Sequence, residues 1–483
     1  MTITNASPLL TELQNKSILI LGLGREGSTT FHFLRTLFPT KQIGLADQAP
    51  LAQLNPSIQE TIHADTQVRL HLGSDYLASL SEYEVIIKSP GIPSTLHPIQ
   101  RAADAGTLIT SQTALFFANC PTRILGVTGT KGKSTTASLI HAILLTGGCD
   151  VHLVGNIGQP PLALLPLART ETIFVCELSS YQLDGLRQSP YIAVLLNVVP
   201  EHLDYHGSFE NYVAAKQNIT HYQSVHDHLV YNATGAIPRR IAAETQAQRF
   251  PFSLEEQPSP GCFVANENVV YSAQEGRYEP VISVKEVPLI GAFNLQNILA
   301  AVAASKLLGV STAAIAETIR RFRPLEHRLE LVGTYQEISF YNAAIATVPQ
   351  ATMAHLDALG PAVQTVLLGG YDRHLDFSEL GERLATSQVK TLILFPTTGQ
   401  RIWQAVCRHR RTPSALPQAF FVQDMEEAVR LAYLHTETGK ICLHSPASPS
   451  FGLFRDYQER GNLFKHYVRQ LGQAESKTAG EER

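Results

Sequence analysis

The stretch Gly126–Thr136 reads GVTGTKGKSTT and lies between an apolar run, Arg123–Val127, and a segment with the composition of a helix, Ser134–Leu145. This order predicts a strand, a glycine-rich loop and a helix. In such a unit the backbone N–H groups of the loop and the N-terminus of the helix both face an anion. The sequence therefore predicts a nucleotide-phosphate site here, and an ordinary connecting loop is the alternative.

Two side chains of this loop have the chemistry that a nucleotide requires. The ammonium group of Lys133 can reach the β- and γ-phosphates, and the hydroxyl group of Ser134 can bind Mg²⁺. The common phosphate-loop pattern has glycine five residues before Gly132, where this chain has Val127. We therefore interpret the segment as a GxxGTxGKST variant of the P-loop.

Length and composition indicate a globular protein of several domains. The 483 residues correspond to about three domains, and the hydrophobic content of 44% is enough for packed cores. The net charge of −4 argues against nucleic acid or an anionic membrane as a partner. The six cysteines form no CxxC pair, and no apolar run approaches the ~20 residues that span a bilayer. We expect a reduced, cytoplasmic, monomeric protein without a membrane partner.

A second glycine-rich turn lies in the first third of the chain. The apolar run Ser17–Leu21 leads into Gly22–Gly27, with the sequence GLGREG, and Asp47 ends a later apolar run. This pattern is typical of dinucleotide-binding, Rossmann-like domains, although the glycine loop itself requires only a diphosphate, so that UDP fits as well as NAD. A further turn, Ser89–Pro93, follows the run Val85–Lys88 at the sheet edge where ligands bind. Turns that only connect strands are the alternative.

An acid and a histidine follow predicted strands in the middle third. Glu177 comes shortly after the run Thr172–Val175, and His202 shortly after Ala193–Asn197. In a parallel sheet both residues would lie near the phosphate loop, where oxygen ligands and phosphates suit Mg²⁺. A capping or turn role is the alternative for each of them. Lys216 lies on a predicted helix with no carboxylate four residues before it, and the residues alone indicate a solvated lysine.

The last third again alternates predicted strands with helices, beginning near Pro324–Arg328. Polar loops follow two of these strands, at Gly369–His374 and Ser445–Ser450. We therefore predict an α/β protein of three domains. The domains are a Rossmann-like domain over residues 1–120, a central parallel-sheet domain of P-loop ATPase type over 121–326, and a small Rossmann-like α/β domain over 327–483.

Together these motifs resemble the Mur ligases, and the resemblance covers about residues 15 to 470. The motifs that carry it, besides GVTGTKGKST, are VGNIG (Val154–Gly158), ELSSYQL (Glu177–Leu183), EHLDYHGSFENYVAAK (Glu201–Lys216), NLQN (Asn294–Asn297), LEHRLE (Leu325–Glu330) and SPASPSFGLFRDYQERG (Ser445–Gly461). The last of these, beside GLGREG, favours the members that add glutamate.

The resemblance implies an ATP- and Mg²⁺-dependent ligase of peptidoglycan precursor synthesis. Its substrates would be UDP-N-acetylmuramoyl-L-alanine and D-glutamate, joined through an acyl phosphate; L-glutamate as the added amino acid is the alternative. An NAD-dependent oxidoreductase would leave GTKGKST unexplained. A regulatory or transport P-loop ATPase would not need EHLDYHG and a later lysine, and folylpolyglutamate synthase has a similar ATP domain.

The resemblance also implies the roles of individual residues. The catalytic set is Lys133, Glu177, His202 and Lys216, and the metal set is Ser134, Glu177, His202 and Lys216, the lysine being carbamylated by CO₂ in the family. The ATP set is Gly129, Thr130, Lys131, Gly132, Lys133, Ser134, Thr135, Asn294, Asn297 and Arg328. The UDP-substrate set is Gly22, Leu23, Gly24, Arg25, Asp47, Ser89, Pro90, Gly91 and Asn156. The glutamate set is Thr347, Arg373, Ser450 and Tyr457.

The chain departs from the family pattern at three places. Ala343–Val348 reads AAIATV, where members usually have Asp-Ser-Lys-Ala-Thr-Asn, so that an acid and a lysine are missing and Thr347 remains. Phe293 replaces a common histidine, and Arg373 replaces the lysine of some members. Since guanidinium is a planar fork and ammonium a point charge, the bound carboxylate could lie differently, which keeps L-glutamate as the alternative.

Overall fold

The computed structural model describes residues 8–409 and 416–481. The chain divides into two compact units, which are described separately. The first comprises the residues up to Val287 together with Gln296–Phe322, and the second comprises Pro288–Leu295 and the residues from Arg323 onward. The first unit contains two β-sheets and the second contains one. These three sheets with their helices confirm the predicted α/β class.

The first sheet has five parallel strands in the order β3-β2-β1-β4-β5. Its central strands are short apolar runs that are buried on both faces, as expected for a parallel sheet covered by helices. Its elements are α1 (Pro8–Asn15), β1 (Ile18–Leu21), α2 (Arg25–Leu37), β2 (Ile43–Asp47), α3 (Pro56–Ala64), β3 (Val68–Leu72), β4 (Val85–Lys88), α4 (His97–Asp104), β5 (Leu108–Thr110) and α5 (Gln112–Asn119).

Helix α2 begins at Arg25, directly after Gly24, which is its N-cap residue. The charged pair of the GLGREG turn, Arg25 and Glu26, therefore lies in the first helical turn, where the free N–H groups of the helix are. This places two charged side chains at the glycine-rich loop.

The second sheet has nine strands in the order β14-β13-β12-β11-β10-β9-β6-β8-β7. Its elements are β6 (Arg123–Thr128), α6 (Lys133–Thr146), β7 (Val151–Gly155), α7 (Pro161–Leu164), β8 (Ile173–Glu177), α8 (Ser180–Leu183), β9 (Ile192–Leu195), α9 (Leu203–His206), α10 (Phe209–His221), β10 (His228–Asn232), α11 (Ala236–Glu244), β11 (Gln248–Ser253), β12 (Gly261–Ala265), β13 (Asn268–Gln274), β14 (Arg277–Ser283), α12 (Ala292–Leu307) and α13 (Thr312–Arg321). The strands from β7 to β12 pair in parallel, as predicted, while β13 and β14 extend the sheet as an antiparallel meander.

The position of β6 in this sheet determines where the site residues lie. Strand β6 is flanked by β8 and β9, and all three run parallel. Their carboxyl ends therefore meet at one edge of the sheet, where ligands of such sheets bind. The loop after β6 is the predicted phosphate loop, β8 ends at Glu177, and the segment after β9 leads to His202.

Among the described residues, the third sheet has six strands in the order β15-β16-β20-β17-β18-β19, and only the β15–β16 hairpin is antiparallel. Its elements are β15 (Glu330–Tyr335), β16 (Ile338–Asn342), α14 (Pro349–Leu359), β17 (Val363–Gly369), α15 (Ser378–Thr386), β18 (Thr391–Phe395), α16 (Gly399–Arg408), β19 (Gln418–Phe421), α17 (Met425–His435), β20 (Ile441–His444) and α18 (Tyr457–Glu481). In the part of the chain that the structure describes, no helix has the length and apolar character needed to cross a membrane.

The packing of α15 on α16 depends on a glycine and yields a testable prediction. A Cβ atom added to Gly381 would lie 2.5 Å from the carbonyl carbon and 2.7 Å from the Cβ atom of Ala405. Alanine gains about 1 kcal/mol of helix propensity over glycine, but overpacking against backbone costs about 1–3 kcal/mol. We expect Gly381→Ala to lower the unfolding free energy measured in urea. The matched control is Glu382→Ala, at an exposed position of the same helix, and a stabilised Gly381→Ala protein would contradict the packing.

Candidate functional site

The phosphate loop has the backbone geometry that its glycines predict. Gly129 and Gly132 have φ angles of 155° and 87°, which side-chain-bearing residues rarely adopt. A Cβ atom at Gly132 would lie 2.3 Å from Oδ1 of Asn297. The structure therefore brings Asn297, a predicted ATP residue, against the loop. Ser134 and Thr135 are buried in the first turn of α6.

Lys133 is the first residue of α6, and its ammonium group folds back onto the loop. Nζ donates to the carbonyl oxygens of Gly129 at 3.1 Å and Thr130 at 3.0 Å. Thr130 is itself fixed, since its N–H donates to Asn197 at 2.8 Å and its hydroxyl group lies 2.9 Å from that of Tyr212. A phosphate is a stronger hydrogen-bond acceptor than a carbonyl group. A nucleotide phosphate can therefore replace these carbonyl oxygens as the acceptor for the ammonium group of Lys133.

Glu177 carries a carboxylate that only partly finds partners inside the protein. The residue is 1% exposed, and its Oε1 accepts a hydrogen bond of 2.9 Å from Nδ2 of Asn156. Its Oε2 is buried without a hydrogen-bond partner among the described residues. An orphaned buried carboxylate oxygen is costly, and a bound cation would remove that cost.

Lys216 is buried beside the same loop and is not the solvated lysine that its spacing alone indicated. It is 1% exposed, because α10 packs this side chain under the loop and not toward solvent. Its Nζ lies 2.9 Å from the carbonyl oxygen of Gly129, 3.3 Å from Oγ1 of Thr128 and 4.8 Å from the ring centre of Tyr212. Burial, followed by the neighbouring charge of Lys133, holds the pKa of Lys216 well below its usual range.

His202 reaches the site from the segment after β9. It has a left-handed backbone with φ 56° directly before α9. Its ring lies 4.9 Å from that of Tyr181. Burial lowers the pKa of His202, partly offset by the carboxylate of Glu201, and so favours the neutral imidazole, which is the form that binds a metal.

The predicted metal set can be tested against these donors. Within residues 8–409 and 416–481, no three His, Cys, Asp or Glu side chains group as a metal site. A cation here would therefore need the hydroxyl group of Ser134, a carbamate on Lys216 or substrate phosphates besides Glu177 and His202. Oxygen ligands with phosphates are the set that Mg²⁺ prefers, and the free Oε2 of Glu177 fits it.

A cavity of about 440 Å³ lies at the GLGREG turn. Eight residues of the predicted UDP-substrate set line it: Gly22, Gly24, Arg25, Asp47, Ser89, Pro90, Gly91 and Asn156. Leu23 is the exception, because its side chain is buried. The sequence analysis missed seven further lining residues: Glu26, Gln48, Tyr76, Ile92, Ser179, Tyr181 and Gln182. Three of these belong to the ELSSYQL motif, so the signal was present and was assigned to Glu177 alone.

Asp47 and Ser89 hold the glycine-rich loop in shape. Asp47 accepts hydrogen bonds from the backbone N–H groups of Leu23 at 2.6 Å and Ala49 at 2.8 Å. The hydroxyl group of Ser89 donates to the carbonyl oxygen of Gly22 at 2.8 Å. Both residues therefore shape the cavity through the backbone as well as lining it.

The predicted ATP residues beyond the loop lie in different units. Asn297 belongs to the first unit, whereas Asn294 and Arg328 belong to the second. Nδ2 of Asn294 donates to the carbonyl oxygen of Ile290 at 2.8 Å. Arg328 is half-buried, and its backbone N–H donates to Leu325 at 3.1 Å.

The second unit brings two of the residues predicted to bind the glutamate substrate onto neighbouring loops. The guanidinium group of Arg373 lies 6.0 Å from the ring centre of Phe451, the residue after the buried Ser450. Tyr371 N–H ties the two loops by donating to the carbonyl oxygen of Pro449 at 2.9 Å.

The other two residues predicted to bind the glutamate substrate lie in separate segments of the same unit. Thr347 is half-buried in the turn after β16. Tyr457 begins α18, and its ring lies 5.9 Å from that of His327.

Arg460 connects these segments and was not predicted. It is fully buried, and its guanidinium group donates to the carbonyl oxygens of Ser448 at 3.0 Å and Ala344 at 2.8 Å. Burial lowers its pKa to about 9. It thereby ties the turn after β16 to the loop after β20, and the only sequence signal was its place in DYQERG.

The AAIATV turn and Phe293, two of the three departures, have a packing explanation. Ala343 and Ala344 are fully buried, and Ala343 belongs to the core of the third sheet. Phe293 packs edge-on against His355 with ring centres 5.8 Å apart. An acid in the turn would bury a charge, whereas the alanines fit into the core without one.

Three family models match successive parts of the chain. The "Mur ligase MurD-like, N-terminal domain" matches residues 16–111, the "Mur ligase middle domain" residues 127–305, and the "Mur ligase, glutamate ligase domain" residues 327–448. Among solved structures, MurC from Thermotoga maritima has a TM-score of 0.57 and 14% identity, covering 94% of this chain and 100% of that one. MurF from the same organism, in complex with ADP, has a TM-score of 0.58 and 14% identity over 94% and 95%. At this identity the two structures show the shared fold alone.

Curated relatives extend the match to nearly the whole chain. The UDP-N-acetylmuramoylalanine-D-glutamate ligase of Acetivibrio thermocellus is 34% identical over 463 residues, which are 95% of this chain and 97% of the relative. The ligase of the same name from Symbiobacterium thermophilum is 38% identical over 406 residues, covering 84% of this chain and 88% of the relative. The chain therefore belongs to the Mur ligase family.

Proposed function

We propose that this protein is an ATP-dependent ligase that adds D-glutamate to UDP-N-acetylmuramoyl-L-alanine in the cytoplasmic synthesis of peptidoglycan precursors. The observation that carries the proposal is the match, over 95% of the chain, to a relative named for this reaction. The phosphate loop, the buried Glu177 and the buried Lys216 at one sheet edge support it. NAD-dependent oxidation would leave all three without a role.

The reaction needs a leaving group, because a free carboxylate does not react with an amine. The γ-phosphoryl group of ATP passes to an oxygen of the alanyl carboxylate, which gives an acyl phosphate and ADP. The amine nitrogen of glutamate then attacks the carbonyl carbon, the C–O bond to phosphate breaks, and the nitrogen loses a proton. Lys133 and the loop N–H groups would stabilise the charge on the transferred phosphoryl group.

The proposed cation is Mg²⁺, held by Ser134, Glu177 and His202 with the ATP phosphates. When bound it neutralises the negative charge of the phosphates. The orphaned Oε2 of Glu177 and the lowered pKa of His202 support this assignment.

We also propose that Lys216 is carbamylated. Only a neutral amine attacks CO₂; the N–C bond forms and one proton is released. The lowered pKa of Lys216 raises the share of the neutral amine. The product is a carboxylate next to the phosphate loop, with the charge and the oxygen atoms that a cation site needs.

The UDP-linked substrate is assigned to the cavity at the GLGREG turn. Two features support this: the N-terminus of α2 opens onto it, and glycines let an anion approach the backbone. The incoming glutamate is assigned to Thr347, Arg373, Ser450 and Tyr457 in the second unit. The protein is proposed to act as a monomer.

Removing the orphaned oxygen of Glu177 tests the cation site. In Glu177→Gln the carboxylate charge is lost while shape is kept, and we expect kcat for Mg²⁺-dependent phosphate release to fall roughly 100-fold. Circular dichroism should remain unchanged. The control is Glu171→Gln, which alters an exposed acid just before β8. Turnover of Glu177→Gln equal to wild type would contradict the assignment.

Carbamylation of Lys216 has a spectroscopic signature. With ¹³C-labelled bicarbonate we expect a carbamate resonance in the wild type and in the control Lys285→Ala, whose lysine is exposed, but none in Lys216→Ala. As pH falls through the lowered pKa of Lys216, the amine protonates, so signal and activity should decline together. A resonance that persists in Lys216→Ala would place the modification elsewhere.

Phosphate release from ATP identifies the amino-acid substrate. The assay contains UDP-N-acetylmuramoyl-L-alanine, Mg²⁺ and either D- or L-glutamate, the two amino acids at equal concentration. We expect release with D-glutamate. Release with L-glutamate alone would mean that Arg373 and the AAIATV turn have changed the selectivity of the pocket. Release with neither would overturn the proposed substrates.

A further inference from the structure

Arg25 is bonded to a loop that belongs to the second sheet. Its Nη2 atom donates to the carbonyl oxygens of Gly155 at 2.7 Å and Asn156 at 3.4 Å, and its Nη1 atom donates to that of Gly158 at 3.2 Å. The same residue lines the cavity at the GLGREG turn. Arg25 therefore has two neighbours, the cavity and the VGNIG loop (Val154–Gly158).

The VGNIG loop is the structure against which Glu177 is fixed. Gly155 and Gly158 have φ angles of 104° and 74°, and a Cβ atom at Gly155 would lie 2.3 Å from the carbonyl oxygen of Glu177. Asn156 bonds to Glu177 twice, through its backbone N–H to the carbonyl oxygen at 2.9 Å and through Nδ2 to Oε1 at 2.9 Å. A displacement of this loop would therefore displace the carboxylate of Glu177.

Glu26, the neighbour of Arg25, bonds to the segment on the other side of Glu177. Its Oε1 accepts a hydrogen bond of 2.7 Å from Nε2 of Gln182 in α8, and its carbonyl oxygen accepts one of 2.7 Å from Gln112. The two charged residues of GLGREG thus hold the chain before and after Glu177.

We propose that Arg25 is a positioning residue that couples occupancy of the UDP cavity to the placement of Glu177. The proposal rests on the proposed function in so far as the cavity binds a UDP-linked substrate. A guanidinium group has five N–H donors in one plane, so the three carbonyl bonds leave donors for a diphosphate. An anion that holds Arg25 also holds the VGNIG loop, and Asn156 transmits the restraint to Glu177. Lysine, a point charge with three donors, keeps the attraction to phosphate but cannot bridge the carbonyls in this way.

Hydrogen exchange of the ligand-free protein tests the contact with the VGNIG loop. The N–H groups of Gly155 and Asn156 are bonded within the structure, and their exchange reports local opening. Without the charged hydrogen bonds we expect about tenfold faster exchange over residues 154–159 in Arg25→Lys and Arg25→Ala. The control Arg101→Lys changes an exposed arginine on α4 and should leave this segment unchanged. Exchange in the Arg25 variants equal to wild type would overturn the positioning role.

Adding UDP tests the coupling. We expect UDP to slow exchange over residues 154–159 in wild type, whereas Arg25→Lys should bind UDP, measured by calorimetry, without that slowing. With full substrates, Arg25→Lys should lower kcat by about tenfold with little change in KM, whereas a residue that only bound diphosphate would raise KM. Equal slowing in both proteins would overturn the coupling. Failure of the wild type to bind UDP would contradict the proposed function, while the ligand-free exchange still decides the positioning role.

Discussion

The arrangement of the site depends on the parallel pairing of β6 with β8 on one side and β9 on the other. Parallel neighbours end at the same edge of a sheet, so the phosphate loop, Glu177 and the segment of His202 must leave the sheet side by side. Helix α10 then places Lys216 beneath that loop. Residues separated by up to 88 positions in sequence meet at this edge through the strand pairing and α10.

Charges at this edge are held in a state that favours ligand binding. Lys133 donates to loop carbonyls, Glu177 keeps one buried oxygen without a partner among the described residues, and Lys216 is driven toward its neutral form. An unsatisfied buried polar atom costs about 1–3 kcal/mol. The protein bears this cost in folding, and the proposed nucleotide, cation and CO₂ would each remove part of it. Stability and ligand binding are therefore linked at the same few atoms.

Local patterns predicted much of the fold and only part of the site. Apolar runs and glycine-rich turns indicated the parallel strands and both loops, since these depend on neighbours in sequence. The burial of Lys216 was beyond such patterns, because helical spacing does not show what packs over a side chain. The contacts of Arg25 with Gly155 and of Arg460 with Ala344 join residues 130 and 116 positions apart. Contacts of that kind follow from tertiary structure alone.

The bonds made by Arg460 have a consequence for how this chain can vary. Its guanidinium group holds the turn after β16 and the loop after β20 by their carbonyl oxygens, which every amino acid provides. Side-chain substitutions in this turn, which reads AAIATV, therefore leave both hydrogen bonds of Arg460 available. The backbone around the proposed amino-acid pocket can keep its conformation when side chains of the pocket are replaced. Substrate selectivity can therefore change in evolution without loss of this backbone support.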